Sequence, residues 1–232
     1  METLEIFKTE DGSDSIRIKD QKITYHSIYG AITESMHIFI QAGLIPFFEN
    51  GSGPIRIFEM GFGTGLNALL TMIAAEAHSR EIIYHAIDTF PLQPMILSKL
   101  NYPEQLNSTG IVVKFQKIND SVWNKETTIT PYFRLLKWEG DLLEFTTKEK
   151  YHLVYFDPFA PEVQPDLWSL ETFVKISRWL EVGGILLTYS SKGEIRRALE
   201  RAGFAVEKLK GPPGKREITR ATKKINTAAS DQ

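Results

Sequence analysis

The stretch FEMGFGTGLNALL, residues 58–70, constrains this chain more than any other. Glycines at 61, 63 and 65 lie between a short apolar run, IRIFEM, and a run with helical spacing, LNALLTMIAAEAH. A buried strand, a glycine turn and a helix in that order make the first crossover of a doubly wound α/β sheet. Glycine permits the tight turn and lets another group press against the backbone. The helix start adds unpaired N–H groups and the positive end of the helix dipole. In such sheets ligands settle outside the carboxyl ends of the strands.

The rest of the chain repeats the alternation. EIIYHAI is a strand ending at Asp88, QPMILSKL a helix, and YFRLLKW a strand followed by Gly140-Asp141. YHLVYF is a strand followed by Asp157-Pro158, and SLETFVKISRWL a helix capped by Gly183-Gly184. ILLTYS and KGEIRRALERAG are the next strand and helix. FAVEKLK and REITRAT flank GPPG with no helix between them, which predicts an antiparallel edge hairpin. The expected fold is therefore a doubly wound, mostly parallel, seven-stranded sheet with a C-terminal antiparallel hairpin. The arrangement is Rossmann-like, and its helix-free last strand pair is also typical of class I methyltransferases. Upstream, SIRI and KITYHS read as short strands around the turn Lys19-Asp20-Gln21. AITESMHIFIQAGLIPFFEN reads as an amphipathic helix that stops near Gly43 and Pro46, and GSGP (51–54) as a hinge. These features divide the chain into a β-hairpin and helix appendage at 1–53 and a main domain at 54–232.

Composition removes several functions. The chain has no cysteine, so disulfides, thiolate metal sites and a cysteine nucleophile are out. The histidines at 26, 37, 78, 85 and 152 show no metal-ligand spacing, and no metal is expected. A net charge of −2 gives no overall field for a polyanion, so such a partner needs a local basic patch. No apolar run reaches the ~18 residues of a membrane span. The start, METLEIFKTEDGSD, is acidic and polar, unlike a signal peptide. No membrane partner is expected, and a cytoplasmic location is. Ser190 and Ser191 lack the G-x-S-x-G elbow of a hydrolase.

The glycine turn admits two ligands. Gly63-Thr64-Gly65-Leu66-Asn67-Ala68 satisfies the dinucleotide fingerprint. Asp88 stands where a ribose-binding carboxylate belongs in a site for either NAD or S-adenosyl-L-methionine (SAM). Glu59, two residues before Gly61, makes an acidic approach that suits a cationic sulfonium better than a pyrophosphate. Asp141 is placed to accept from an adenine amino group. These features favour SAM, with Glu59, Gly61, Phe62, Gly63, Thr64, Gly65, Asn67, Asp88 and Asp141 as the expected cofactor set. An NAD-dependent oxidoreductase and a non-catalytic SAM-binding module that scaffolds an RNA-modifying partner are the alternatives.

The stretch VYFDPFAPEVQPDLW, residues 154–168, supplies candidate chemistry. Asp-Pro-Phe resembles the [Asp/Asn]-Pro-Pro-aromatic motif of amino-methyltransferases acting on nucleic acids. A carboxylate at Asp157 can accept the hydrogens of an exocyclic amine and aim its lone pair, and Phe159 can stack on a base. Glu34 either faces the substrate or is a solvated helix residue. Tyr25 and Tyr29 either cover the cofactor or pack the appendage. Lys208, Lys210, Lys215, Arg216, Arg220, Lys223 and Lys224 make a basic cluster that either holds phosphates or is a solvated hairpin.

Taken together, these stretches resemble the methyltransferase family of MnmC. The matching segments are YGAITESMHIFIQAGL (29–44), FEMGFGTGLNALL (58–70), AIDTFPL (86–92), YFDPFAPEVQPDLWS (155–169), GGILLTYSSKGEIRRALERAGF (183–204) and GPPGKREITRAT (211–222). The resemblance implies SAM-dependent N-methylation of a 5-aminomethyl-(2-thio)uridine at the wobble position, in the anticodon of tRNA. It implies Glu59, Gly61, Gly63, Gly65, Asp88 and Asp157 around the cofactor and reaction site, and Lys215, Arg216 and Glu217 within a substrate-binding motif. Bifunctional members of that family carry a second, FAD-dependent oxidase domain. The expectation here is a stand-alone type, served by a separate FAD-dependent oxidase partner. Pro158 stands where bifunctional members carry glycine.

Overall fold

The computed structural model describes residues 3–19, 21, 23–49, 51–107 and 110–225. Asp20 and Lys22 of the predicted N-terminal hairpin lie outside these residues. Its strands are β1 (Leu4–Lys8), β2 (Asp14–Ile18) and β3 (Ile23–Thr24), joined as a small antiparallel sheet. β1 is a strand that the sequence pattern did not suggest, and KITYHS contributes only the two residues of β3.

The main sheet has eight strands, not seven. They are β4 (Ile55–Met60), β5 (Ile82–Asp88), β6 (Thr127–Thr130), β7 (Phe133–Glu139), β8 (Tyr151–Phe156), β9 (Leu180–Thr188), β10 (Phe204–Lys210) and β11 (Glu217–Lys223). Their order is β10-β11-β9-β8-β4-β5-β7-β6. The extra strand, β6, is a short polar edge, TTIT, antiparallel to β7 through a bulge. With Ile129 as its single apolar residue, it is too short and too polar for pattern alone to find. The pairs among β7, β5, β4, β8 and β9 are parallel, and the β10–β11 hairpin joins β9 antiparallel.

β4 and β8 are buried along nearly their whole length, as central parallel strands are. Their side chains alternate between two cores. Ile57 and Tyr155 belong to one face, Phe58 and Phe156 to the other. The first face is covered by α1 (Ala31–Glu49) and α2 (Leu66–Ala77), with Phe39 of α1 against the Tyr155 ring at 4.9 Å. The second is covered by α6 (Leu170–Trp179) and α7 (Gly193–Arg201), which follow three short helices: α3 (Pro94–Leu97), α4 (Tyr102–Leu106) and α5 (Ile111–Asp120).

Three local expectations need correction. α1 does not stop at Gly43 and Pro46. It runs to Glu49 through π-helical turns over Met36–Leu44, and the wider turn accommodates the proline that would otherwise break the ladder. Its 19 residues are long and apolar enough to cross a membrane, contrary to the sequence reading, yet 44% of that span is buried inside the fold. The predicted helix QPMILSKL shrinks to the single turn of α3. Gly183-Gly184 do not cap α6, which ends at Trp179; they form an irregular start to β9, where a Cβ on Gly184 would lie 2.9 Å from the Glu181 carbonyl.

The chain order reverses between β4 and β8, because β4 has a parallel neighbour on each side. That switch point opens a crevice at the carboxyl ends of the strands, where both the glycine turn and Asp157 lie.

Candidate active site

At the switch point the backbone is tightly knit. The Gly61 N–H donates to the Ile87 carbonyl at 3.0 Å, and the Asp157 N–H to the Met60 carbonyl at 3.1 Å. The three glycines have positive φ of 88°, 50° and 73°. Each approaches a part of the protein itself. A Cβ on Gly61 would stand 2.8 Å from the Asp157 carbonyl oxygen, and one on Gly63 3.3 Å from the Tyr25 ring. One on Gly65 would meet Asn119 and Phe62 at 3.1 and 3.2 Å. Gly65 is the N-cap of α2, and among the described residues no side chain caps that helix. Its first-turn N–H groups therefore remain as donors beside the turn.

A cleft of about 380 Å³ opens above this turn, a size common for small-molecule sites. Its walls include Gly61, Phe62, Gly63, Thr64, Asn67 and Asp88 of the expected cofactor set. They also include Asp157, Phe159, Glu34 and Lys215. Asp88 accepts from the Gly63 N–H through Oδ2 and from the Phe90 N–H through Oδ1, both at 2.9 Å. Burial raises its proton affinity, and these backbone donors oppose the rise.

Asn67 is the centre of the floor. Its Nδ2 donates to Glu59 Oε1 at 2.9 Å and to Asp157 Oδ2 at 3.0 Å. Glu59 is fully buried beneath it, outside the cleft wall, and its Oε2 has no hydrogen-bond partner among the described residues. Burial pushes its carboxyl well above the usual range; the Asn67 bond opposes this and the Asp157 charge adds to it. Asp157 is half-buried and also raised well above the ordinary value, by burial first and by the charge of Glu34 second. Asn67 and Lys215 pull it back.

The opposite wall comes from distant parts of the chain. Glu34, in the first turn of α1, accepts from the Ser27 N–H at 2.8 Å through Oε2. Its Oε1 is 2.8 Å from Lys215 Nζ, in the loop between β10 and β11. The Lys215 ammonium also lies 4.5 Å from the Tyr189 ring centre. The Tyr189 hydroxyl donates to the Pro158 carbonyl at 2.8 Å. Tyr25 meets Phe159 edge to face at 5.0 Å across the cleft. His26, also on the wall, is held near neutral form by burial, with its pKa lowered to about 4.

Other expected residues lie elsewhere. Gly65 and Glu59 support the turn from below and do not line the cleft. Asp141 caps a turn by accepting from the Leu143 N–H at 2.8 Å, and it too is outside the wall. Arg216 and Glu217 are on the hairpin away from the cleft, and Glu217 pairs with Lys208 at 2.9 Å. The basic cluster is partly taken up by contacts within the chain: Arg220 pairs with Glu207 at 2.6 Å, and Lys223 donates to the Leu180 carbonyl. Tyr189, Ser27, Thr89, Phe90 and Gln164 line the cleft and were not singled out by the sequence as site residues. Thr89 and Phe90 directly follow Asp88, a signal that was available. Tyr189 carried none, since only the sheet brings it beside Pro158. Among the described residues no cluster of side chains suits a metal ion.

With this geometry in hand, the comparisons with known proteins become informative. A family model described as S-adenosyl-L-methionine-dependent methyltransferase matches residues 112–224. The bifunctional tRNA 5-methylaminomethyl-2-thiouridine biosynthesis protein MnmC of Burkholderia mallei (strain SAVP1) is 28% identical over 209 residues. That match takes in 84% of this chain and 32% of the relative, as does the match to MnmC of Burkholderia pseudomallei (strain 668). The chain thus spans about a third of the length of the curated relatives it matches. Among solved structures, MnmC2 from Aquifex aeolicus superposes with a TM-score of 0.79 at 24% identity, over 97% of this chain and 71% of that one. Spermidine synthase from Thermotoga maritima gives 0.58 at 15% identity, with the same coverages. The fold is that of the class I SAM-dependent methyltransferases.

Proposed function

We propose that the chain is an MnmC-like, S-adenosyl-L-methionine-dependent methyltransferase that N-methylates the 5-aminomethyl group of a (2-thio)uridine at the tRNA wobble position; the family model over residues 112–224 and the MnmC relatives support this reading. The observation that carries this reading is the carboxylate of Asp157 on the cleft wall. One of its oxygens is fixed by Asn67, and Phe159 and Tyr25 stand beside it. A fixed carboxylate is an acceptor for amine hydrogens, and aromatic rings on the cleft wall suit a nucleobase.

The residues present fit the cofactor. The uncapped start of α2 offers N–H donors, and Asp88, held by two backbone donors, keeps acceptor capacity for ribose hydroxyls. Gly61, Phe62, Gly63 and Thr64 would form the bed, with Glu59 acting from below through Asn67. Bound there, SAM supplies a methyl group activated by its sulfonium charge. Asp157 takes an N–H of the amine and fixes the direction of its lone pair. Its raised proton affinity suits it to receive the proton that an ammonium must lose before it can act as a nucleophile. The carboxyl groups of Asp157 and Asp88 on the cleft wall suit a pyrophosphate poorly, which weighs against the oxidoreductase alternative.

The test is incubation of the chain with methyl-labelled SAM and tRNA lacking the final methyl, then nucleoside analysis. Label in 5-methylaminomethyl-(2-thio)uridine is expected. SAM binding with no label in any RNA would overturn the proposal in favour of a binding module. A separate oxidase that exposes the amine is part of the proposal, by analogy with the bifunctional naming of the relatives.

A further inference from the structure

Five consecutive residues of the N-terminal segment, Ile23, Thr24, Tyr25, His26 and Ser27, line the cleft. Their backbone is pinned from outside. The Tyr25 N–H donates to the Ile16 carbonyl at 2.9 Å, and the His26 N–H to Ser15 Oγ at 3.2 Å. The Ser27 N–H donates to Glu34 Oε2 at 2.8 Å, and the Ile28 carbonyl accepts from the Glu10 N–H at 2.9 Å. Four residues in a row thus have a backbone group bound to β2, to the turn after β1 or to α1, which fixes the path of the segment along the cleft.

Two tyrosines of this segment pack on glycines of the site. Tyr29 lies on Gly214 in the loop between β10 and β11, where an added Cβ would run into its ring. Tyr25 lies on Gly63 of the first turn, where an added Cβ would stand 3.3 Å from the ring's Cδ1 and 3.6 Å from its Cε1. The same Tyr25 ring meets Phe159 edge to face, with 5.0 Å between centres and 83° between planes. One side chain from the N-terminal segment therefore touches both the bed proposed for the methyl donor and the ring proposed to carry the acceptor base. The backbone of Phe159 is held by its own segment: its N–H donates to Gln164 Oε1 at 2.8 Å, and its carbonyl accepts from Trp168 Nε1 at 2.9 Å. Neither bond sets the angle of its ring. The Tyr25 contact does.

We propose that Tyr25 is a positioning residue for methyl transfer: its ring, set between the glycine turn at Gly63 and the Phe159 ring, holds the acceptor's platform at a fixed distance and angle from the donor's bed. The inference rests on the amine-methylation reading. Transfer needs nitrogen, methyl carbon and sulfur in line, and an error of ~1 Å in such an arrangement costs about 10²-fold in rate. A tyrosine spacer is rigid and has only two side-chain torsions to immobilise. The small N-terminal sheet thereby gains a task in the site, because the bonds from β2 hold Tyr25 at its station.

The test uses the full chain, with SAM affinity by calorimetry and single-turnover methyl transfer to aminomethyl-uridine tRNA at saturating SAM and tRNA. Tyr25→Ala should lower the transfer rate by about 30- to 100-fold while SAM affinity stays within about threefold of wild type. Tyr25→Leu, which keeps apolar bulk without the ring, should also lose at least about tenfold in rate. Tyr25→Phe keeps the ring and should stay within about threefold. Tyr25→Ala combined with Phe159→Ala should be no slower than the slower single variant, because the two rings act as a unit. In urea denaturation, Gly63→Ala should cost less in the Tyr25→Ala background than in wild type, which reads the contact without the chemistry. A merely structural role would lower SAM affinity along with the rate and give additive losses. That pattern, a Tyr25→Ala rate within about threefold of wild type, or a Tyr25→Phe rate as low as that of Tyr25→Ala, would overturn the inference alone. A wild-type chain that binds SAM but labels no aminomethyl-uridine overturns the methylation reading, and the positioning role with it.

Discussion

The two walls of the cleft are held by different forces. The wall from β4, β5 and the turn before α2 is backbone: positive-φ glycines, main-chain hydrogen bonds from Gly61 and Asp157, and the Asp88 carboxylate seated on two N–H groups. The wall from α1 and the β10–β11 loop is side-chain charge and aromatic contact: Glu34, Lys215, Tyr189 and the Tyr25–Phe159 pair. The first is specified within some thirty residues of sequence. The second exists only after both ends of the chain have docked on the sheet. The first wall should therefore respond to steric insult and ignore salt and pH. The second should respond to charge.

The largest effect is expected where the backbone wall has no room. Gly61→Ala forces a Cβ to 2.8 Å from a backbone carbonyl at a φ of +88°. Strain plus displacement of the Asp157 segment should cost about 2–4 kcal/mol. Gly53 has a similar φ, +97°, with nothing within 4 Å of its added Cβ. Gly53→Ala should cost only the backbone term, about 1 kcal/mol. Urea denaturation of the two variants measures the difference. Equal losses would mean that the approach of Asp157 to Gly61 is not what demands glycine.

Asn67, which ties Glu59 to Asp157 on the cleft floor, comes next. Asn67→Ala removes the shared donor of Glu59 and Asp157, leaving one buried and one half-buried carboxyl group without it. A stability loss of about 1–3 kcal/mol is expected, with single-turnover transfer reduced at least as strongly as SAM affinity. Calorimetric SAM binding set beside transfer rate separates the two. An unchanged rate would exclude Asn67 as the device that orients Asp157.

The same contrast explains what was legible in the sequence. The strand–glycine–helix unit, the strand ends at Asp88 and Asp157 and the C-terminal hairpin all stand out, because periodicity and glycine spacing are local properties. β6 has only one apolar residue, Ile129, to announce it, and the π-helical turns over Met36–Leu44 follow no local sequence pattern. Within the site, the turn residues were readable and the Tyr189–Lys215–Glu34 grouping was not. Charge in a sequence says nothing of its partner. Lys215 and Arg220 look alike in a basic cluster, yet one is drawn into the cleft and the other is spent on Glu207.

A smaller effect is expected from pH. His26 touches both regions, with Nε2 3.5 Å from Thr64 Oγ1 and Nδ1 3.3 Å from Ser15 Oγ. Its folded pKa is lowered to about 4 by burial, with Glu34 and Asp11 opposing. Between pH ~6.5 and ~4 the unfolded chain binds this proton and the folded chain does not, so stability falls as pH falls through that window. His26→Gln should flatten this part of the profile by about 1 kcal/mol, discounted for the partial exposure of the ring. Asp11 works lower down. Its hydrogen bonds with Ser13 and Thr33 outweigh burial and bring it to about 2, so its contribution disappears only as pH drops through ~4 towards 2. A profile in which stability does not fall between pH 6.5 and 4, or in which His26→Gln leaves the slope unchanged, would remove His26 from the account.

The smallest effects belong to the exposed face of the hairpin, and they sharpen the contrast with Lys215. Arg220 forms a pair with Glu207 at 2.6 Å in which both side chains keep solvent contact, 27% and 46% exposed. Arg220→Ala should change stability by less than about 1 kcal/mol. Its cation is already neutralised locally, so the salt dependence of tRNA binding should hardly move. Arg216 is exposed and free of any such ion pair among the described residues. If the hairpin meets phosphate at all, Arg216→Ala should reduce the slope of log affinity against log salt by about one and leave SAM affinity untouched. Binding isotherms at several salt concentrations for the two variants decide the matter. Equal slopes in wild type, Arg216→Ala and Arg220→Ala would mean that the hairpin is a solvated edge. The tRNA would then be gripped by another surface, and the basic cluster would contribute to the site only through Lys215, which lines the cleft paired with Glu34.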